Sequence, residues 1–155
     1  MNELRIITPD LSYATAISAL IVSLAPAFME PDTDPTKFLE SVSPEAEADY
    51  MRDARYFYRI ALLDDRFVGI VAIRDYSHLT HLFVSPDVQN SGIGNALWQS
   101  ALKEMRTRGT KTVTVFASPQ AVPFYVRAGF EVTDDARSAN GVRVHPMRLD
   151  LARSA

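Results

Sequence analysis

The sequence predicts a mixed α/β fold: one sheet of six to seven strands, partly antiparallel, with about four helices on its faces. Three strand-like runs follow one another between Tyr56 and Val84, and strands joined by short breaks pair antiparallel. A strand–helix–strand unit then runs from His78 to Ala117, and a crossover helix of that kind joins parallel neighbours. Between that strand and its helix lies Gln89-Asn90-Ser91-Gly92-Ile93-Gly94. A glycine-bearing turn at a helix N-terminus offers free backbone N–H groups and the positive end of the helix dipole, so a phosphate-bearing ligand is expected there.

Each element has a local cause. Leu4 to Thr8 reads as a strand ended by Pro9. Asp10 caps the next helix, whose apolar face is Leu11, Ile17, Leu20, Ile21 and Leu24. From Pro26 to Pro44 the composition turns to proline and aspartate, predicting a loop with a short helical piece around Phe38. Ser43-Pro44-Glu45 starts a helix that runs to about Arg52. This region reads as a mobile rim or lid. Tyr56 to Leu63 and Phe67 to Ile73 are strands split by Asp64-Asp65-Arg66, and Gly69 predicts a bulge or a close backbone approach. Leu79 to Val84 is the third strand, broken by Ser85-Pro86-Asp87. Ile93, Leu97, Ala101 and Met105 form one stripe of a helix that ends at Arg106, Arg108 and Gly109. Lys111 to Ala117 is a strand, Ser118-Pro119 leads into a short helix closed at Gly129, and Phe130–Thr133 and Val142–Leu151 are the last strands. Asp134 to Gly141 reads as a polar loop with an Asn140-Gly141 turn.

The bulk numbers narrow the class. With 155 residues, 47% hydrophobic and 23% charged, residues 1–155 are expected to form one domain with its own core. A formal charge of −3 leaves no electrostatic footprint for nucleic acid. There is no cysteine, hence no disulfide framework or thiolate metal site. The N-terminus lacks a signal-peptide pattern, and the longest apolar run, Ala19 to Val22, is interrupted by Ser23 and followed by Pro26, too short to span a bilayer. A soluble cytoplasmic protein without nucleic-acid or membrane partners is expected, with a homodimer left open.

A dinucleotide fingerprint is excluded because Leu97 stands where the third glycine belongs, and no acidic residue closes the strand Lys111 to Ala117. A P-loop is excluded for want of Gly-Lys-Ser/Thr. Two motifs remain, about thirty residues apart: Leu82-Phe83-Val84 with Gln89-x-x-Gly92-x-Gly94, then Phe124-Tyr125-x-x-x-Gly129-Phe130. Together they resemble the GNAT superfamily of acyl-CoA N-acyltransferases, and the resemblance extends over the chain in element order.

The resemblance implies the GNAT fold and an N-acetyltransferase moving an acetyl group from acetyl-CoA to a primary amine by direct attack in a ternary complex. It implies that the backbone of Leu82, Phe83 and Val84 pairs with the pantetheine arm and polarises the thioester carbonyl. Asn90, Ser91, Gly92, Ile93, Gly94 and Asn95 would wrap the pyrophosphate through backbone N–H groups, with Gln89 shaping the turn. Family members often carry Arg or Lys at positions 90 or 91, and here both are uncharged. Ser118 stands where many members have a pantetheine-binding asparagine; it either contacts that arm or caps the following helix. Tyr125 matches the tyrosine that protonates the departing thiolate, against the alternative of a plain core aromatic. A strand glutamate used as base by some members is replaced by Val113. His78 and His81 are the candidate bases beside water, although three positions apart in a regular strand they face opposite ways unless a bulge intervenes. With no third ligand near them, no metal is expected. Tyr56, Tyr58, Phe28 and Phe38 either line the acceptor pocket or pack the core. The competing class is a non-catalytic acyl-CoA-binding sensor or interaction module of the same fold.

Overall fold

A computed structural model describes residues 3–152; residues 1, 2 and 153–155, the ends of the expected 1–155 domain, lie outside the described residues. One sheet carries β1 (Leu4–Ile7), β2 (Tyr56–Leu63), β3 (Arg66–Arg74), β4 (His78–Val84), β5 (Thr112–Ala117), β8 (Val142–Asp150) and β6 (Glu131–Val132) in that spatial order, with β7 (Arg137–Ala139) paired to β8. The helices are α1 (Ala14–Phe28), α2 (Thr36–Ser41), α3 (Pro44–Arg52), α4 (Ile93–Thr107) and α5 (Val122–Arg127). The mixed α/β class is as expected, with one strand and one helix more. The added strand is β7, in the stretch expected as a polar loop. Asn140 and Gly141 both have positive φ (52° and 83°), the backbone of a tight hairpin turn, and fold β7 back onto β8.

Local chemistry accounts for most boundaries. Asp10 accepts from the Ser12 N–H at 2.9 Å and starts a single 3-10 turn, Leu11–Tyr13, that feeds α1. Ser43 accepts from the Ala46 N–H at 3.1 Å and opens α3, with Pro44 in its first turn. α1 continues past Pro26 to Phe28. Together with its 3-10 turn, Leu11–Phe28 is long and apolar enough by composition to cross a membrane, with a mean hydropathy of 1.7. This corrects the expectation drawn from uninterrupted apolar runs, which ignored how little Ser, Thr and Ala dilute a helix. In the fold the segment lies on the sheet, with Ile17, Leu20 and Ile21 packed against Ile60, Ile70 and Ala72.

α4 covers the other face. Ile93, Leu97, Trp98, Ala101 and Met105 are all buried, against Val68, Val71, Ile73 and Val113. Full burial of a side chain such as Leu97 contributes about 1.5–3 kcal/mol. Gly69 supplies the close approach its position predicted: Ala61 pairs with Gly69 but Leu62 with Phe67, so Val68 bulges, and a Cβ on Gly69 would lie 2.9 Å from Leu97 Cδ1.

The feature that makes room for a ligand is the β4–β5 pair. Among the described residues it is the only parallel pair, and its register holds for two residues, His78 opposite Thr114 and Leu79 opposite Val115. The register of β4 with β3 slips at the same place, Ala72 facing His81 and Ile73 facing Leu79, so Thr80 is an inserted residue. Beyond it β4 stays on β3 while β5 departs toward β8. The edge of β4 from Leu82 to Val84 is left without a strand partner on that side.

Candidate active site

Two cavities open at this splay. The larger, about 790 Å³, runs from the β4 edge past the start of α4 to α5. The smaller, about 210 Å³, lies toward α1, α2 and the β7–β8 hairpin. Phe28, Leu82, Phe83, Ser118, Ala121 and Tyr125 line both, so the two spaces meet there.

Most of the residues expected at a phosphate and pantetheine site line the larger cavity: Leu82, Phe83, Val84, Gln89, Asn90, Gly92, Gly94, Asn95 and Ser118. Gln89 donates from Nε2 to the Val84 carbonyl at 3.0 Å, tying the turn to the end of β4. Gly92 begins α4 in the left-handed region, φ 87°, and no side chain caps the helix. A Cβ on Gly92 would meet nothing within 4 Å, so the space before the helix is open and the glycine is needed for its φ. Ser91 and Ile93 do not line the cavity. The Ser91 hydroxyl turns back to the Val88 carbonyl, and the Ile93 side chain is in the core, which leaves only their backbone for a ligand. Ser118 does not cap α5: the cap position is Ala121, and it is the Ser118 carbonyl that accepts from Ala121 and Val122. Its side chain is thereby left at the junction of the cavities.

Tyr125 stands at that junction, 5% exposed. Among the described residues no buried side-chain polar atom lacks a partner, and no hydrogen bond is made by the Tyr125 hydroxyl, so that hydroxyl faces the open space of the cavities. Burial pushes its pKa above that of an ordinary tyrosine, which keeps the proton in place.

The histidines diverge. The Thr80 bulge puts both on one face of the sheet: His78 pairs with Arg74 and His81 with Ala72, and those β3 residues are two apart. The expectation of opposite faces holds only for a regular strand. His78 lines neither cavity; its Nδ1 lies 2.7 Å from Thr114 Oγ1 and its ring meets Phe116 edge-on. Burial and nearby Arg74 lower its pKa to about 4, so it is a weak base outside the cavities. His81 does line the smaller cavity, but both nitrogens face acceptors: Nδ1 the Thr80 carbonyl at 2.9 Å, Nε2 the Glu47 carboxylate at 3.1 Å. His78 thus lies outside both cavities, and both nitrogens of His81 already face an acceptor.

Glu47 was invisible to motif reading. It is fully buried on α3 and accepts from both the Tyr58 hydroxyl (2.7 Å) and His81. Its one signal was position, four residues before Met51 on the inner stripe of a capped helix. Arg127 was also missed; among the described residues it is the only charged side chain lining the larger cavity. Of the four aromatics, Phe28 and Phe38 line the smaller cavity, whereas Tyr58 bonds Glu47 and Tyr56 stacks on Tyr50.

A family profile for the acetyltransferase (GNAT) domain matches residues 10–151. An uncharacterized N-acetyltransferase, ycf52, of Gracilaria tenuistipitata var. liui is 41% identical over 51 residues, 33% of this chain and 28% of that protein, so under a third of that relative is spanned. Among solved structures, the PaiA N-acetyltransferase of Thermoplasma acidophilum in complex with coenzyme A superposes with a TM-score of 0.77 at 15% identity, over 96% of this chain and 99% of that one. The GCN5-related N-acetyltransferase of Rhodopseudomonas palustris gives 0.75 at 23% identity, over 97% and 96%. These two likenesses show the fold. With the profile spanning nearly the whole described chain around a splayed β4–β5 pair, the chain belongs to the GNAT acetyltransferase family.

Proposed function

We propose that the chain is an N-acetyltransferase that moves an acetyl group from acetyl-CoA to a primary amine by direct attack with both substrates bound. The observation that carries this is the meeting of a large and a small cavity at Tyr125, whose unpartnered hydroxyl faces their open space. A donor in one and an acceptor in the other would react beside Tyr125, and holding two reactants together is itself a large part of catalysis.

The larger cavity suits coenzyme A. The unpaired β4 edge from Leu82 to Val84 can take the amide-rich pantetheine arm as an added strand. The open turn at Gly92 and the uncapped start of α4 can take the pyrophosphate through backbone N–H groups. Arg127 supplies the charge that Asn90 and Ser91 lack. The bound donor supplies an activated thioester, and a β4 backbone N–H stabilises the developing oxyanion.

The amine nitrogen bonds to the carbonyl carbon as the carbon–sulfur bond breaks. Tyr125, whose burial keeps its proton in place, gives that proton to the leaving sulfur as the thiolate forms. The proton released by nitrogen leaves through water and restores the phenol, while His81 and Glu47 shape the acceptor floor. Following free-thiol release with acetyl-CoA and a panel of amines tests the proposal. Release on at least one amine supports it. Tight acetyl-CoA binding with no release on any amine would replace it with a non-catalytic acyl-CoA sensor.

A further inference from the structure

We infer, resting on the acyl transfer proposed above, that the acceptor is a small primary amine on an aromatic or compact apolar body with no second charge. The smaller cavity carries rings on its lining: Phe28 stacks on Phe83 (centroids 5.8 Å apart), Phe38 meets Phe28 edge-on at 5.4 Å, and Phe116 of β5 lines it as well. Aromatic walls favour an apolar or aromatic guest, through area removed from water and edge or offset ring contacts.

Charge excludes the alternatives. Among the described residues, His81 and Tyr125 are the only ionisable side chains lining this cavity, and no carboxylate lines it. The nearest buried carboxylate, Glu47, is engaged by Tyr58 and His81. A second ammonium held against this lining would therefore meet no carboxylate there, and the Glu30 carboxylate at the rim is engaged by the Ser138 hydroxyl, so its desolvation would be poorly repaid. The cation of Arg137, 4.9 Å from the Phe116 ring centre, adds repulsion on that wall.

Size points the same way. A cavity of about 210 Å³ holds a small guest. Its α1 side is tied to the β7–β8 turn by a Glu30 N–H bond to the Gly141 carbonyl (2.7 Å) and by the Met29–Val142 bridge. A Cβ on Gly141 would come within 2.9 Å of Met29 Cε, so the two walls are in close contact at that tie.

The test compares kcat/KM at saturating acetyl-CoA for 2-phenylethylamine, 3-methylbutylamine, spermidine and a lysine-bearing peptide. The two apolar amines are expected to exceed spermidine and the peptide by about tenfold or more, the discrimination a pocket gains from matched apolar area and an unpaired charge. Phe38→Ala is expected to raise KM for 2-phenylethylamine about fivefold while KM for acetyl-CoA stays constant, with Phe38→Leu recovering part of the loss. Spermidine or the peptide equalling the apolar amines would overturn the acceptor class and leave acyl transfer standing. Absence of thiol release with all four, together with acetyl-CoA binding, would overturn the transfer itself. The wild-type panel decides the matter even if the Phe38 variants fold poorly.

Discussion

The two cavities share the wall of Leu82, Phe83 and Tyr125 but are lined by different chemistry. The larger also has apolar walls, at Leu24, Phe28, Trp98 and Phe124, but adds to them strand edge, turn backbone and amide side chains, with one cation at Arg127. The smaller is made of aromatic rings and a histidine whose nitrogens are already occupied. Backbone recognition constrains side chains little except where φ is positive, as at Gly92, so a donor site of this kind leaves a short motif in the sequence. Recognition by rings gathered from α1, α2, β4 and β5 leaves no motif, because its members are far apart in the chain.

The largest expected effect probes the shared wall. Tyr125→Phe should lower kcat about a hundredfold, the usual size of a lost general acid, while acetyl-CoA still binds; single-turnover thiol release and equilibrium binding separate the two. Because burial raises the Tyr125 pKa, its proton stays on as pH rises, and the alkaline limb of kcat should lie above the ordinary phenol value of about 10. An unchanged kcat in the Phe variant would reduce Tyr125 to a wall.

Next in size is Gly69→Ala, which disturbs the packing of β3, β4 and α4, mostly beneath the donor side. The added Cβ would lie 2.9 Å from Leu97 Cδ1 and 3.0 Å from the Phe83 carbonyl, pressing α4 away from β4. A loss of about 1–3 kcal/mol in chemical denaturation is expected, as for other overpacked cores. KM for acetyl-CoA should rise more than KM for the amine.

A smaller effect is expected at Arg127, which is exposed. Arg127→Gln should raise KM for acetyl-CoA about fivefold at low salt and progressively less at high salt, as for any solvent-screened charge. Repeating the titration with 3′-dephospho-CoA shows which phosphate the guanidinium meets.

The smallest effect is at His81. His81→Gln should change kcat by no more than about threefold, because water carries the proton and the ring only shapes the floor. A loss nearer the hundredfold typical of a missing base would restore the imidazole to the chemistry.

Much of the frame was legible locally. The caps at Asp10 and Ser43, the α4 stripe and the alternation in β5 were each written in a few adjacent residues. Motif spacing sufficed to place Gln89 to Asn95 across the start of a helix and Tyr125 after the next strand. The segment from Pro26 to Pro44 was less legible, since its loop signals did not show that Phe28 and Phe38 would meet Phe83.

The sequence by itself thus determined the order of elements, the glycine turn and the tyrosine motif, because periodicity, caps and turns depend on neighbours within a few residues. Only the tertiary structure decided the direction of the histidines, the burial of Glu47 and the open edge of β4. One inserted residue at Thr80 reverses the facing of everything before it relative to everything after. Whether that residue is inserted depends on how β4 pairs with β3 while β5 leaves for β8, and those partners lie outside the stretch from His78 to Val84.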